Sequence, residues 1–128
     1  MSNNDSYIKI EKLSKSFGFK KVLNEISLDI EKGDFITLFG PNGAGKTTLI
    51  RILSTILKGY EGSVSISGHD LRKQVHNIRQ NIGLLSHENF LYQNLTVMEN
   101  LIFFSKLYGI KNPKESISYK LKKIGVGS

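Results

Sequence analysis

The sequence predicts an α/β fold with a small antiparallel β subdomain near its start, and three observations lead to that prediction. Strand patterns precede helix patterns repeatedly along the chain, an order typical of α/β proteins. Residues 35–39 (FITLF) are nearly all apolar, as in a strand covered on both faces of a parallel sheet. Before that run, apolar and polar residues alternate, which indicates strands with one solvated face.

The first forty residues contain the patterns of two strands and two turns. Polarity alternates over residues 8–10 and again over residues 26–30, which predicts two strands. The aromatic-glycine-aromatic sequence at 17–19 predicts a turn between them, and the sequence EKGD at 31–34 predicts a second turn. The apolar strand at 35–39 is expected to follow, with neighbours on both sides.

The middle of the chain predicts two helices and two further strands. The first helix should carry one apolar face and end at Gly59; the residues of that face are Leu49, Ile52, Leu53, Ile56 and Leu57. Residues 64–66 alternate as a strand. Asp70 is in place to cap a short helix whose apolar positions are Leu71, Val75 and Ile78. Residues 82–85 predict a short buried strand.

The last third of the chain predicts a loop and two helices. Thr96 and Glu99 have the spacing of a capping box, which opens a helix with Val97, Leu101, Phe104 and Tyr108 on its apolar side. Gly109 should end this helix. Pro113 predicts the start of a final helix, whose inward residues are Ile117, Leu121 and Ile124.

A glycine-rich loop at residues 40–47 carries the strongest functional signal. Its sequence GPNGAGKT matches the phosphate-loop pattern G-x-x-x-x-G-K-[ST] in full, between a predicted buried strand and a predicted amphipathic helix. The alternative is a glycine-rich turn without a ligand, which neither the full match nor its context favours. The candidate nucleotide-binding residues are Gly40, Asn42, Gly43, Ala44, Gly45, Lys46, Thr47 and Thr48.

Each residue type in this loop suits a triphosphate ligand. Gly43 and Gly45 lack a Cβ, so the backbone can take unusual dihedral angles and approach phosphate oxygens closely. Successive N–H groups then form a concave anion site at the positive end of the helix dipole. Lys46 adds a cation for the β- and γ-phosphates, and Thr47 offers a hydroxyl to Mg²⁺. ATP and Mg²⁺ are therefore the expected cofactors.

In this context, the chain resembles the ATP-binding domain of ABC transporters. The similarity runs through residues 22–34 (VLNEISLDIEKGD), the loop and its helix start at 40–49, residues 59–68 (GYEGSVSISG) and residues 95–101 (LTVMENL). The phosphate loop alone indicates only an NTPase, whereas this combination in this order is specific. The resemblance implies a P-loop NTPase fold and identifies residues 1–128 as the N-terminal half of an ABC-type domain.

The resemblance implies two further contacts. Phe17 matches an aromatic that stacks on adenine, with Phe19 as the rival candidate and a locally buried Phe as the alternative. His87 stands where the family places a glutamine that reaches Mg²⁺ and the attacking water. An imidazole can accept from water or bind a metal, so His87 is a candidate metal or catalytic residue; a loop histidine without a ligand is the alternative.

Other family elements have no counterpart in the sequence. There is no signature of the Leu-Ser-Gly-Gly-Gln type, no apolar strand ending in Asp before a catalytic Glu, and no switch histidine; the resemblance puts these beyond residue 128. The chain is therefore expected to bind ATP without being hydrolytically competent alone. Expected partners are a membrane-spanning permease and a second ATP-binding subunit, identical or different. Residues 84–88 and 95–101 also resemble, weakly, the haem-exporter subunits of cytochrome c maturation.

Composition narrows the class of protein. The chain of 128 residues has no cysteine, so a disulfide framework and a thiolate metal site are excluded. Its start is polar and it has no run of about 18 apolar residues, so we expect a soluble, cytoplasmic chain held at the membrane by the permease. The formal net charge of +7 is scattered, which favours a solvated surface, and no nucleic-acid partner is expected.

Three other interpretations stay open on the sequence. A soluble ABC-type ATPase acting on the ribosome or DNA would fit the basic charge, although such proteins carry a second ATP-binding domain or a long coiled coil. A kinase or GTPase outside the ABC family would lack the match at residues 22–34. A fragment without activity of its own is compatible with the transporter interpretation.

Overall fold

The chain divides into two units, Met1–Leu85 and Ser86–Ser128. The computed structural model describes residues 6–86 and 91–126. The described part of the first unit contains a four-stranded sheet and two helices, and that of the second contains two helices. Among the described residues, no helix has the length and apolar character that crossing a membrane would need.

The sheet of the first unit is antiparallel throughout. Its strands are β1 (Ile8–Phe17), β2 (Lys20–Ile30), β3 (Glu61–Ile66) and β4 (His69–Asp70), in the spatial order β2-β1-β3-β4. Ile10 of β1 lies opposite Leu28 of β2 on one side and Val64 of β3 on the other. The antiparallel pair β1 and β2 confirms the subdomain predicted near the start of the chain, and β3 and β4 extend it, β4 without having been predicted as a strand.

Helices α1 (Lys46–Leu53) and α2 (Val75–Arg79) complete the core of the first unit. Apolar residues from the two helices, the three longer strands and the turn after β4 form one buried cluster, because alternate strand residues share a face and helix residues three or four apart do so as well. Each such side chain contributes about 1.5–3 kcal/mol of burial free energy. The cluster consists of Ile10, Leu13, Leu23, Leu49, Ile52, Val64, Ile66, Leu71 and Ile78.

Both predicted turns of the first unit are confirmed. Residues 18 and 19 form the turn between β1 and β2. At residues 31–34, the N–H of Asp34 donates to the carbonyl of Glu31 (3.3 Å) and the N–H of Glu31 donates to Asp34 Oδ2 (2.9 Å). An aspartate that closes its own turn through its side chain is a common reason for finding this residue in turns.

The predicted strands at residues 35–39 and 82–85 are wrong for the described structure. Neither segment is a strand, and Phe35 and Phe39 are 93% and 88% exposed. Leu84 and Leu85 are exposed as well. A strand exists only when a neighbour accepts and donates its backbone hydrogen bonds. Within residues 6–86, the four strands that form pair with one another, so these two apolar runs have no such neighbour.

Helix α1 ends earlier than predicted, at Leu53 and not near Gly59. Thr55 has a left-handed backbone (φ 65°), and the chain closes the helix there. The N–H of Thr55 donates to the carbonyl of Ile52 (2.9 Å) and that of Ile56 to the carbonyl of Arg51 (3.0 Å). These two bonds define a Schellman motif. Ile56 is consequently exposed and lies outside the helix.

The spacing of Asp70 predicted that it caps the short helix, and this prediction is wrong. Its Oδ1 accepts from the N–H groups of Arg72 (2.8 Å) and Lys73 (2.9 Å), which forms a separate turn before α2. These backbone donors hold the pKa of the Asp70 carboxyl below its usual range. Gln74 occupies the N-cap of α2 and makes no side-chain capping bond there.

The second unit is formed by α3 (Val97–Leu107) and α4 (Pro113–Lys123), which pack on each other. The predicted capping box is confirmed, since Thr96 Oγ1 accepts from Glu99 N–H (3.2 Å) and Glu99 Oε2 accepts from Thr96 N–H (2.8 Å). Pro113 stands in the first turn of α4, also as predicted. Both helix starts are thus fixed by residues local in the sequence.

Buried Asn100 fixes the turn before α3. Its Oδ1 accepts from the N–H of Tyr92 (2.8 Å), and its Nδ2 lies within 3.1 Å of the carbonyls of Tyr92, Leu95 and Thr96. Ile117 is buried as predicted. Three residues assigned to the inward faces are instead exposed, since each lies at or next to a helix end where fewer side chains can cover it; they are Val97, Tyr108 and Ile124.

Candidate phosphate-binding site

The glycine-rich loop lies immediately before α1, and its last glycine is the N-cap residue of that helix. Gly43 and Gly45 have positive φ angles of 84° and 92°. Residues with a Cβ rarely adopt this region, so the two glycines permit the loop's path. The loop at 40–47 therefore has the turn and the helix start that its sequence predicted, although residues 35–39 before it do not form a strand.

Gly45 is also required by packing. It is buried, and a Cβ added to it would lie 2.6 Å from Leu23 Cδ2 and 2.9 Å from the Val22 carbonyl oxygen. Both distances are shorter than non-bonded contacts allow, so no side chain fits without displacing β2. The start of α1 is consequently seated directly on the second strand of the hairpin.

The N-terminus of α1 presents backbone donors and no competing acid. The first hydrogen bond of the helix runs from the N–H of Leu49 to the carbonyl of Gly45 (2.9 Å). By helix geometry, the preceding N–H groups of residues 46–48 point out of the helix end, where the dipole is positive. Gly45 brings no side-chain acceptor, and the first turn contains no acidic residue. An anion fits this end of the helix.

Lys46 closes the loop upon itself. Its Nζ donates to the carbonyl oxygens of Gly40 (2.5 Å) and Pro41 (2.7 Å), and the N–H of Ala44 donates to Pro41 as well (3.2 Å). The ammonium group is thereby held beside the loop and close to the helix start. The side chain is half-buried, so its charge is more weakly screened than that of a free surface lysine.

The remaining predicted residues lie on the accessible side of the same loop. Asn42, Ala44 and Thr47 are exposed, and Thr48 is half-buried. The Thr47 hydroxyl follows Lys46 in the first turn of α1, so a Mg²⁺ ion held by a phosphate at the helix start would be within the reach of a hydroxyl ligand. A hard cation prefers such oxygen donors. The loop residues therefore fit a magnesium-bound triphosphate.

Phe17 is the last residue of β1 and is 49% exposed. Its rival Phe19 lies fully exposed in the turn that follows. β1 and the strand that seats Gly45 are paired, with Lys15 opposite Leu23 and Phe17 opposite Lys20. Phe17 and the Gly45 contact on Leu23 thus belong to the same hairpin, with a register shift between Lys15 and Ser16. His87, the other predicted site residue, lies outside the described residues.

Sequence reasoning missed Lys15, whose ammonium group lies 5.0 Å from the centroid of the Phe17 ring. The same Nζ donates to the carbonyls of Lys58 (3.1 Å) and Gly59 (2.6 Å). A signal was available, because residues two apart in a strand share a face. A strand that continues to residue 17 therefore brings Lys15 and Phe17 side by side.

Comparison with known protein families supports this geometry. The family model described as ABC transporter matches residues 23–127, which include the whole phosphate loop. The chain belongs to the ABC transporter family. The fold predicted from the sequence, the N-terminal part of a P-loop NTPase of ABC type with a small antiparallel β subdomain, is thereby confirmed.

Individual relatives agree with this assignment. An uncharacterised ABC transporter ATP-binding protein of Methanocaldococcus jannaschii is 41% identical over 94% of this chain and 42% of its own length. The linearmycin resistance ATP-binding protein of Bacillus subtilis is 36% identical over 80% of this chain and 33% of its own length. A solved structure of an ATP-binding subunit of an ABC transporter has a TM-score of 0.73 at 25% identity, covering 88% of this chain and 47% of that one. The chain thus spans less than half the length of these relatives.

Proposed function

We propose that this chain binds Mg·ATP through residues 40–48, as an ATP-binding subunit that powers transport by a membrane-spanning permease. The observation that carries the proposal is the close packing of Gly45 on β2, which fixes where α1 begins. The Lys46 ammonium group, in the first turn of α1, is bonded to the same loop. Family membership supports ATP as the ligand. The resemblance to haem exporters stays a prediction, since nothing in the site distinguishes a cargo.

Each residue has a separate role in this proposal. The N–H groups of residues 43–48 donate to phosphate oxygens, for which the N–H of Ala44 gives up its bond to the Pro41 carbonyl. Lys46 exchanges part of its bonding to Gly40 and Pro41 for the β- and γ-phosphates. Thr47 contributes a hydroxyl to Mg²⁺, which when bound neutralises phosphate charge. Phe17 stacks on the adenine from the end of β1, with its exposed ring area available for the base.

The expected affinity is consistent with these contacts. A hydrogen bond to a charged group contributes about 1.5–3 kcal/mol net. Three or four such bonds supply the ~4–8 kcal/mol of a ligand bound at millimolar to micromolar concentration. Stacking of a base on an aromatic ring adds about 1–3 kcal/mol. The loop therefore accounts for most of the binding, and Phe17 for its preference for a nucleotide over a bare polyphosphate.

We further infer that the 128 residues bind nucleotide without hydrolysing it unaided. The family resemblance assigns water activation to groups with no counterpart in this sequence, apart from His87 at the glutamine position. Positioning of phosphates without orientation of the water leaves the in-line attack largely uncatalysed. A second ATP-binding subunit and a permease are the proposed partners, and the permease would place the chain at the cytoplasmic face of a membrane.

The names of several relatives favour a role in transport over a role on the ribosome or DNA. Relatives with similar coverage of this chain include proteins named for spermidine/putrescine import and for sulfate/thiosulfate import. These names describe those proteins and share no single cargo. They support a permease partner for this chain without selecting a substrate.

The experiment that tests the proposal is isothermal titration of the folded chain with Mg·ATP. We expect saturable binding for the wild type and a loss of at least about 100-fold in affinity for Lys46→Ala, because two or more charge-assisted bonds disappear. Lys32→Ala, which removes an exposed lysine from the 31–34 turn, is the matched control and should bind as the wild type does. Equal affinity of the wild type and Lys46→Ala would refute the role of the loop.

A further inference from the structure

A lysine that belongs to no recognised motif holds the ring proposed to stack on adenine. Lys15 and Phe17 lie two residues apart on β1 and therefore project from the same face of the strand. The Lys15 Nζ lies over the Phe17 ring, 5.0 Å from its centroid. This is within the distance at which a cation is attracted by the π face of an aromatic ring.

The position of this ammonium group is fixed from the other side. It donates to the carbonyl oxygens of Lys58 (3.1 Å) and Gly59 (2.6 Å), in the loop between α1 and β3. The Lys15 side chain is half-buried, in contrast to the exposed lysines of the neighbouring strand. One cation thus joins the end of β1 to the far end of the segment that begins with the phosphate loop.

This restraint matters because Phe17 occupies an exposed place. It is the last residue of β1, is followed by a turn and is half exposed, so strand packing alone leaves its ring free to change rotamer. A ring held on one face by an ammonium group keeps the opposite face available. A platform that is already in place avoids the entropy cost of ordering a side chain when the ligand binds.

The β1–β2 hairpin carries both the Phe17 ring and the residue on which the phosphate loop packs. Lys15 lies opposite Leu23 in the β1–β2 pairing, and Leu23 Cδ2 is the atom nearest to the place where Gly45 would carry a Cβ. Leu23, on which Gly45 packs, and Lys15, which contacts the Phe17 ring, are therefore neighbours in one hairpin. The pairing register shifts between Lys15 and Ser16, so Lys15, which is opposite Leu23 and next to the Phe17 ring, is the residue that links the two features.

We propose that Lys15 is a positioning residue for the nucleotide base, which holds the Phe17 ring between the 58–59 carbonyls and the adenine. The proposal rests on the proposed function, because it requires Phe17 to be the base platform. It adds a residue outside the phosphate loop that affects recognition of the base and leaves recognition of the phosphates unchanged.

The test compares Mg·ATP with inorganic tripolyphosphate, which has the phosphates and lacks the base, by isothermal titration. For Lys15→Met we expect about three- to ten-fold weaker ATP binding, from the loss of the cation on the ring. Tripolyphosphate affinity should stay within about two-fold of the wild type, since the loop is unchanged. Lys15→Arg, which keeps the charge and the donors, should restore ATP binding.

Two comparisons separate this proposal from the one on which it rests. Phe17→Ala should reproduce the ATP-specific loss, and Lys21→Met, an exposed lysine of β2, should change neither affinity. Insensitivity of both ligands to Lys46→Ala would defeat the proposed function itself. If Phe17→Ala weakens ATP and Lys15→Met does not, only the positioning role of Lys15 is overturned.

The remaining outcomes are also decisive. An equal loss of both ligands in Lys15→Met would show a general structural role and overturn the proposal, as would unchanged ATP binding in Phe17→Ala. If Lys15→Met melts below the assay temperature, Lys15→Gln takes its place. Glutamine keeps an N–H donor for the loop carbonyls and lacks the charge. The same ratio of ATP to tripolyphosphate affinity then decides.

Discussion

The β1–β2 hairpin and the apolar run at residues 35–39 differ in one respect that decides their structures. Both have sequences typical of strands, but β1 and β2 find each other across a two-residue turn, whereas the run finds no partner among the described residues. Phe35 and Phe39 are 93% and 88% exposed, while Ile36 and Leu38 between them are 47% and 37% exposed. All five residues of the run are therefore exposed, and the run lacks the hydrogen bonds that would make it a strand.

This difference shows which parts of the site depend on local sequence. The phosphate loop follows the unpaired run directly, yet it has its glycine dihedrals, its helix start and its lysine contacts. The loop is positioned by α1, which follows it directly, and by the packing of Gly45 on Val22 and Leu23 of β2, which lie far from it in the sequence but are already paired with β1. The strand before it needs distant partners. The loop and its helix start thus form although residues 35–39 before them do not pair as a strand, and four predictions test this comparison.

The largest expected effect concerns the packing of Gly45 on β2. Gly45→Ala should lower the free energy of unfolding by about 3 kcal/mol or more, because the new methyl meets Leu23 and the Val22 carbonyl at a positive φ. Gly43→Ala is the matched control. It has a similar φ but nothing within 4 Å of the added atom, so we expect a loss of about 1–2 kcal/mol. Urea unfolding of both variants in the background Phe35→Lys, Phe39→Lys, which we expect to be monomeric, measures the two losses, and equal losses would contradict the packing argument.

The second prediction concerns the unpaired run. Exposed apolar segments with unpaired backbone groups associate with other chains. We expect the wild-type chain to aggregate and the double variant Phe35→Lys, Phe39→Lys to raise its monomer fraction several-fold on size-exclusion chromatography. Phe19→Lys changes an equally exposed Phe in a formed turn and should have much less effect. A wild-type monomer with a sharp, reversible two-state melt would speak against this interpretation.

The smallest expected effect concerns the capping box of α3, another feature fixed by neighbouring residues. Thr96→Ala should cost about 1 kcal/mol, as at other N-caps. Val97→Ala, at the next and exposed position, is its control and should change the stability little. Thermal melts followed by circular dichroism measure both variants. Equal stability of Thr96→Ala and the wild type would show that the Thr96 cap does not stabilise α3.

The same capping box predicts a pH dependence. Hydrogen bonds from Thr96 hold the pKa of Glu99 below its ordinary value. The stabilisation is therefore fully present above the ordinary glutamate pKa of about 4.3 and is lost as the pH falls through the lower folded value. Glu99→Gln keeps an acceptor that does not titrate, so its melting temperature should fall less between pH 6 and pH 3. Parallel pH profiles would contradict this assignment.

The sequence was most informative where structure depends on adjacent residues. The alternating strands, the turn at 31–34, the helix start that follows the loop at 40–47 and the capping box at Thr96 were all predicted correctly. Each of these is specified by residues within a few positions of one another. Phosphate binding by the loop at 40–47 stays a prediction. The family itself followed from the same local motifs taken in order, and it is confirmed.

Predictions failed where a distant or unusual partner decides the outcome. Residues 35–39 and 82–85 had strand composition, but composition does not supply a neighbouring strand. The end of α1 was assigned to Gly59 because glycine usually takes the left-handed position, whereas Thr55 does so here. Arg79 Nε donates to the Thr55 hydroxyl (2.7 Å), a contact between residues 24 positions apart that no local pattern reveals.

The central claim is that the amides at the start of α1 hold the phosphates of a nucleotide, and amide-resolved NMR tests it most directly. Adding Mg·ATP to the ¹⁵N-labelled folded chain should produce saturating shifts that are largest at residues 43–48. Inorganic tripolyphosphate should shift the same amides and leave those near Phe17 nearly unchanged. Absence of saturating shifts at 43–48, or shifts centred elsewhere, would contradict the account.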